Sequence, residues 1–284
     1  MYTKTEFDRR QFLAFAGAGG AALIAAHFSF GIPMETPMVD RTGARIAKLD
    51  LLSSAPTHEM REFYGSVLGL SIAKVERKSV TVAVGDSMLT FRESSAEQDR
   101  PFYHFAFNIP ENKIRSALEW QRLRTPLLPI PEPMRDPEYP AEVVNYTQWN
   151  AHSVFFLDPA GNVVEYIARH DLKNPAPGNF SSSDILYPSE IGIIVDDVIA
   201  TAAALKEVAG LNQYRGGSEQ FMALGDEHGL LLIMKRGRIL NFNPATQDKA
   251  ARIFPTGIHA RGPKSVQYMP ENLPYRVVFD SDKS

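Results

Sequence analysis

HSVFFLDPAGNVVEYIARHD, residues His152 to Asp171, reads as two strands joined by a tight turn. Asp158, Pro159, Gly161 and Asn162 are turn formers, and the flanking runs are rich in Val, Phe, Tyr and Ile. Glu165 stands inside the second run, between VV and YI. A carboxylate in a buried strand must be hydrogen-bonded, ion-paired or metal-bound, because an isolated buried charge is too costly to keep. Which of these holds decides the chemistry available to the chain.

Upstream, FYHFAFNIP (Phe102 to Pro110) reads as a strand and ENKIRSALEWQRL as a helix, so the hairpin closes a strand–helix–strands unit. The intervening TPLLPIPEPMRDPEYPAEV is too rich in proline for regular structure; a loop of this length is a candidate lid or a plain surface excursion. The same order precedes it. RIAKLDLLS (Arg45 to Ser53) is strand-like, and APTHEMREFYGSVLGL is a helix with Thr57 as N-cap, apolar Met60, Phe63, Tyr64 and Val67 at helical spacing, and Gly69 as the stop. KSVTVAVG and SMLTFRE form its hairpin. The order returns between Glu190 and Lys235, as strand EIGIIVDD, helix VIATAAALKEVAG, short strand GLNQY and hairpin EQFMALGDEHGLLLIMK. The interval from Glu190 to Gly210 repeats that from Leu49 to Gly69, so VLGL matches VAGL and AVGD matches ALGD. These observations predict an α+β fold of repeated βαβββ units, near 44–95, 101–170 and 185–236, none of which buries its sheet alone. Residues 237–284 read as an irregular tail apart from a final strand, YRVVFD.

Composition narrows the functions. The chain has 284 residues, 44% of them hydrophobic, ample for a globular core. A net charge of −3 without a dense Lys/Arg cluster offers no footprint for nucleic acid. There is no cysteine, which excludes disulfides, thiolate catalysis and Cys-held metals, so any metal must be bound by His and carboxylates. Neither GxGxxG nor GxxxxGK[ST] occurs, so no nucleotide cofactor is expected, and the absence of GxSxG removes support for serine hydrolysis. At the N-terminus, DRRQFLAFAGAGGAALIAAH sets Arg9 and Arg10 before a short run rich in Gly and Ala. Residues 1–30 therefore resemble a twin-arginine export signal, followed by a linker at 31–43. The resemblance implies recognition by the twin-arginine export machinery and a periplasmic or otherwise exported protein. No clean cleavage site appears, so retention by an uncleaved anchor stays open.

The βαβββ order, FYGSVLGL closing the first helix and DPAGNVVEY closing the second unit resemble the vicinal oxygen chelate superfamily: glyoxalase I, extradiol dioxygenases, fosfomycin-resistance and bleomycin-binding proteins. The resemblance covers roughly residues 44–236. It implies two units paired into a cup-shaped mixed sheet, here 44–170, plus a third unit at 185–236. It also implies a metal held by the first and last strands of each unit. Carried over, these positions are His104 and Glu165 in the second unit, which with a divalent Fe, Mn, Ni or Zn ion would answer the question of the buried glutamate. The first unit offers Leu49 and Thr90 or Phe91, none a convincing ligand. Phe155 stands where extradiol dioxygenases usually have a tyrosine, which argues against ring cleavage. In the third unit the positions are Glu190 and Ile233. A third unit without a partner in its own chain would find one in a second molecule, forming a homodimer. Glu190 is then either a ligand or a structural carboxylate beside Lys or Arg.

The bland reading of His104 and Glu165 is an inherited pair bonded to each other or to Tyr103, Tyr166 or Arg169. His152 would complete a three-ligand set if it pointed inward; strand alternation leaves its face open, because one residue of register in the DPAGN turn exchanges the faces, and the Phe155 comparison favours the outer face and a structural histidine. His58 and His228 read as solvent-exposed, and His170 and His259 as flanking loops without forming a set. Trp120, Tyr146, Trp149 and Phe155 could line an aromatic cup or simply pack in the core. Two functions follow: an exported metal-dependent lyase, isomerase or dioxygenase acting on a small vicinal-oxygen substrate, or a metal-free small-molecule binding protein of the bleomycin-binding type.

Overall fold

The structure is a computed structural model and describes residues 45–95, 100–139, 142–240 and 250–281. The expected export signal and linker lie outside these residues. The described strands form two curled mixed sheets, one of seven strands and one of eight.

The first unit contributes β1 (Arg45–Ser53), helix α1 (Thr57–Arg61), β2 (Ser71–Glu76), β3 (Ser79–Val84) and β4 (Ser87–Glu93). Pro56 takes the N-cap position expected of Thr57, whose N–H donates instead to Glu93 Oε1 at 2.7 Å. Beyond Arg61 the helix widens into π-helical turns over Glu62–Val67, which lets Met60, Phe63, Tyr64 and Leu68 all bury their side chains. The second unit contributes β5 (His104–Ile109), α2 (Ile114–Arg122), a short edge strand β6 (Val144–Tyr146), β7 (Ala151–Leu157) and β8 (Val163–Arg169). The third contributes β9 (Tyr187–Val195), α3 (Val198–Ala209), β10 (Gln213–Ser218), β11 (Phe221–Asp226) and β12 (Gly229–Lys235). Asp197 caps α3 through Ala200 N–H, and Gly210 ends it at φ 71°, a conformation that favours glycine.

Two repeats share one curled sheet, but they are the second and the third rather than the two within 44–170. At the centre of the eight-stranded sheet β5 and β9 run antiparallel, with Phe105 opposite Ile191 and Ala106 opposite Glu190. Each is flanked in parallel by the last strand of its own unit, β8 or β12. The third unit thus has a partner within the chain, which removes the premise from which a homodimer was expected.

The first unit pairs with the stretch expected to be irregular. β1 lies antiparallel to β13 (Thr256–Gly262), which runs parallel to β15 (Tyr275–Ser281), with β14 (Val266–Tyr268) at the edge. Only alternate residues of these strands face the core: Thr256, Ile258 and Ala260, then Tyr275, Val277 and Phe279. Charged residues between them interrupt the apolar pattern, and no helix separates β13 from β15 among the described residues. The repeat is therefore reduced to strands and hard to see in sequence.

The core is a train of rings. Tyr64 stacks on Phe91 at 4.8 Å, Phe91 meets Phe105 at 6.3 Å, and Phe105, Phe107, Tyr166 and Phe156 continue it. These residues occupy the face of each sheet toward the helices. Their strand neighbours His104, Ala106 and Glu165 therefore face the other way, into the concavity of the eight-stranded sheet.

Candidate metal centre

The DPAGN turn positions the site. Asp158 Oδ1 accepts from Asn162 N–H at 2.9 Å, its Oδ2 accepts from the Asn162 amide at 2.7 Å, and Gly161 closes the turn at φ 78°. Tyr64 of the first unit donates to the same carboxylate at 2.8 Å. Asn162 Oδ1 accepts from Tyr103 N–H at 2.8 Å, and Val163 N–H donates to Tyr103 C=O at 2.8 Å. These bonds lock β8 beside β5 in the register that pairs His104 with Val163 and Ala106 with Glu165.

His104, Glu165 and Glu190 converge in the concavity. One donor atom from each lies within 4.8 Å of the others. His104 Nε2 is 3.4 Å from Glu165 Oε2 and 4.0 Å from Glu190 Oε2. The side chains are 8%, 2% and 2% exposed, so solvent does not separate these charges. His104 Nδ1 is 3.0 Å from Val163 C=O, which can only accept; the proton is therefore on Nδ1, and the neutral ring presents a lone pair at Nε2. Burial pushes the imidazole down to about 4, so it stays neutral at physiological pH. Burial first and the Glu190 charge second push Glu165 well above the usual carboxylate range. Burial also raises Glu190, opposed by Arg169.

Glu190 has the arginine partner expected of a structural carboxylate and also lies where it could be a ligand. Its Oε1 pairs with Arg169, while Oε2 faces His104. The groups that could have neutralised Glu165 are engaged elsewhere: Tyr103 OH donates to Pro255 C=O, Tyr166 OH donates to Gln121, and Arg169 holds Glu190 and Asn108. Glu165 Oε1 has no hydrogen-bond partner, and the separation of 3.4 Å from His104 exceeds a normal hydrogen bond. A lone pair facing two carboxylates in a buried space is repulsive unless a proton or a metal ion lies among them. Two donors about 2.1 Å from a shared ion are at most about 4.2 Å apart, so both His104 separations fit. The buried group can hold a divalent metal.

The remaining expected positions separate cleanly. Leu49 and Phe91 face the helix side, because the unit's rings pack there; the opposite face carries Asp50, Thr90 and Arg92, with Asp50 already paired to Arg92. In the third unit the register pairs Gly192 with Leu232, matching Ala106 with Glu165, so the equivalent of Glu165 is Leu232 and not Ile233. Counting from the turn glycine slips by one because β12 begins at Gly229, whereas Asn162 intervenes before β8. The fourth position is apolar.

Tyr146 and Trp149 cover the site, packed on a floor of Ala106, Ala151 and Ile167. Trp149 meets Tyr214 at 5.2 Å and Phe221 at 6.3 Å, and Phe155 lies 6.1 Å from the His104 ring. Trp120 instead packs on Phe180, away from the site. His152 is on the outer face, where Nε2 bonds Asp136 at 2.9 Å and Nδ1 meets His170 at 2.7 Å, so His170 belongs to a set after all. His58 is exposed, whereas His228 is half-buried and bonded to the Tyr187 hydroxyl at 2.9 Å. His259 pairs with Asp280 at 2.7 Å.

No family model matches the sequence, and no curated protein matches it. Solved structures do. A candidate dioxygenase from Bacillus subtilis strain 168 superposes with a TM-score of 0.54 at 14% identity, over 86% of each chain. A glyoxalase I mutant from Zea mays gives 0.48 at 10% identity, over 84% of this chain and 94% of that one. A glyoxalase/bleomycin resistance protein/dioxygenase from Nocardioides gives 0.34 at 19% identity, over 47% and 89%. The first likeness is one of fold: the chain shares the architecture of that Bacillus subtilis protein.

Proposed function

We propose that this protein is a metal-dependent enzyme of the vicinal oxygen chelate type, with His104, Glu165 and Glu190 holding one divalent ion. The carrying observation is the Nε2 lone pair of His104, fixed by Val163 C=O and facing two buried carboxylates. An ion there would act as a Lewis acid toward adjacent oxygens of a small substrate and favour an enolate, catecholate or developing oxyanion. The protein's own contribution is orientation and dryness. Val163 sets the imidazole tautomer, Arg169 aims Glu190, and Tyr146 and Trp149 exclude water. His and carboxylate donors suit Fe, Mn, Ni or Zn. Fold alone selects no reaction among lyase, isomerase and dioxygenase.

Elemental analysis of protein purified without chelator tests this reading. A ratio near one metal per chain supports it; none bound, even after anaerobic addition of Fe, Mn, Ni and Zn, overturns it. The aromatic wall of Tyr146, Trp149, Phe155 and Tyr214 favours a second reading, a metal-free binding protein, which the same negative result would select. Export to the periplasm through the twin-arginine machinery is part of the proposal and rests on Arg9, Arg10 and the apolar run after them. Replacing both arginines by lysine should retain the protein in the cytoplasm, as cell fractionation would read.

A further inference from the structure

Arg169 is fully buried, on β8 and on the same strand face as Glu165. Its Nη2 donates to Glu190 and its Nε donates to Asn108 Oδ1 at 3.2 Å, but Nη1 has no partner. A buried guanidinium with an empty nitrogen is costly to keep. Two aromatic rings flank it, Trp149 with its centroid at 5.5 Å and Tyr214 at 5.8 Å. The Tyr214 hydroxyl is also buried without a partner. The Ser153 hydroxyl lies toward Glu165, short of a normal hydrogen bond. Of these, Arg169 Nη1 belongs to the side chain that already holds Glu190, and what it lacks is an acceptor.

Charge points the same way. With both carboxylates ionised, as metal binding requires, two carboxylates against one guanidinium sum to one negative charge, and a divalent ion turns that into one positive charge. A buried excess positive charge calls for an anion. We propose that Arg169 Nη1 is the recognition group for a carboxylate of the substrate, so that the substrate is a small vicinal-oxygen compound that also bears a carboxylate. Arginine suits this role because its planar fork can hold Glu190 with one nitrogen and a second oxyanion with another, which a lysine ammonium cannot do in the same geometry. Arg169 is then a specificity-determining residue. The inference rests on the metal reading for the vicinal oxygens and for the charge balance; the empty Nη1 of Arg169 stands without it.

The test is a matched pair of probes, 3,4-dihydroxybenzoate against catechol, titrated calorimetrically into Mn-loaded protein. The carboxylated probe is expected to bind at least tenfold more tightly. In Arg169→Lys, which keeps a cation beside Glu190, metal stoichiometry should persist and the preference should shrink to less than threefold. Equal binding of the two probes, no binding of either, or a preference undiminished in Arg169→Lys would overturn the proposal. Should Arg169→Lys fail to fold, the wild-type comparison still decides. Should no metal load, the metal reading fails by itself, and benzoate against benzamide, read by tryptophan fluorescence of the metal-free protein, decides the carboxylate: a benzoate preference supports it and parity overturns it.

Discussion

Glu165 and His104 are held by residues that never touch a ligand. Asn162 joins the turn to Tyr103, and that bond sets the strand register which brings the imidazole to Val163. Glu165→Gln should therefore keep the fold, since no hydrogen bond to its carboxylate is lost, while lowering metal affinity at least tenfold; metal content and melting temperature read the two effects separately. Burial raises the Asp158 carboxyl to about 6, against its hydrogen bonds from Asn162 and Tyr64. A raised acid contributes its stability below the unfolded pKa, near 3.8, and loses it as pH rises through 6. Asp158→Asn should gain on the wild type between pH 4 and 7, by up to about 3 kcal/mol, as denaturant unfolding at stepped pH would measure. A difference independent of pH would refute this account. His104 and Glu165 were legible because DPAGN marks the strand that carries the glutamate. Arg169 was legible only as one conceivable partner of that glutamate, because its true partner, Glu190, arrives from another unit and local spacing does not report such a contact.

At the scale of elements, the proline-rich stretch ends in a short strand and a turn that place Tyr146 and Trp149 over the alanine floor. It is fastened by buried Leu128, Ile130 and Val143 and by polar contacts, among them Asp136 to His152 and to Asn145, Arg122 to Glu142 at 2.8 Å, and Arg215 to Gln148 C=O at 3.1 Å. Trp149→Ala should speed metal removal by a small chelator at least tenfold without changing the number of ions bound; stopped-flow chelation would show it, and an unchanged rate would mean that access lies elsewhere. The strands and helices themselves were visible as alternation and helical spacing. Their facing was less so: one residue of slip put Leu49 in place of Asp50 and Ile233 in place of Leu232, and in β12, where both faces are apolar, the period-two pattern conceals its phase.

Across the whole molecule, the two sheets are tied by Tyr275, whose hydroxyl accepts from Ile194 N–H at 3.1 Å and donates to Ile194 C=O at 2.6 Å. Tyr275→Phe leaves two buried backbone groups without this partner and should cost about 1–3 kcal/mol, read as a lower denaturation midpoint at unchanged m-value. Removing the residues after Lys235 should do far more, because β1 would lose β13, and soluble yield would collapse. The repeats were legible; which repeat joins which was not, because pairing between distant units is chosen by the folded whole. β1 also stands in an unusual relation to time. Its neighbour β4 is made soon after it, but Arg45 reaches its opposite number, Arg261, only after the second and third repeats have been made. The first sheet therefore stays open along one edge while the whole of the second sheet is synthesised, and its closure waits for a strand made long after β1.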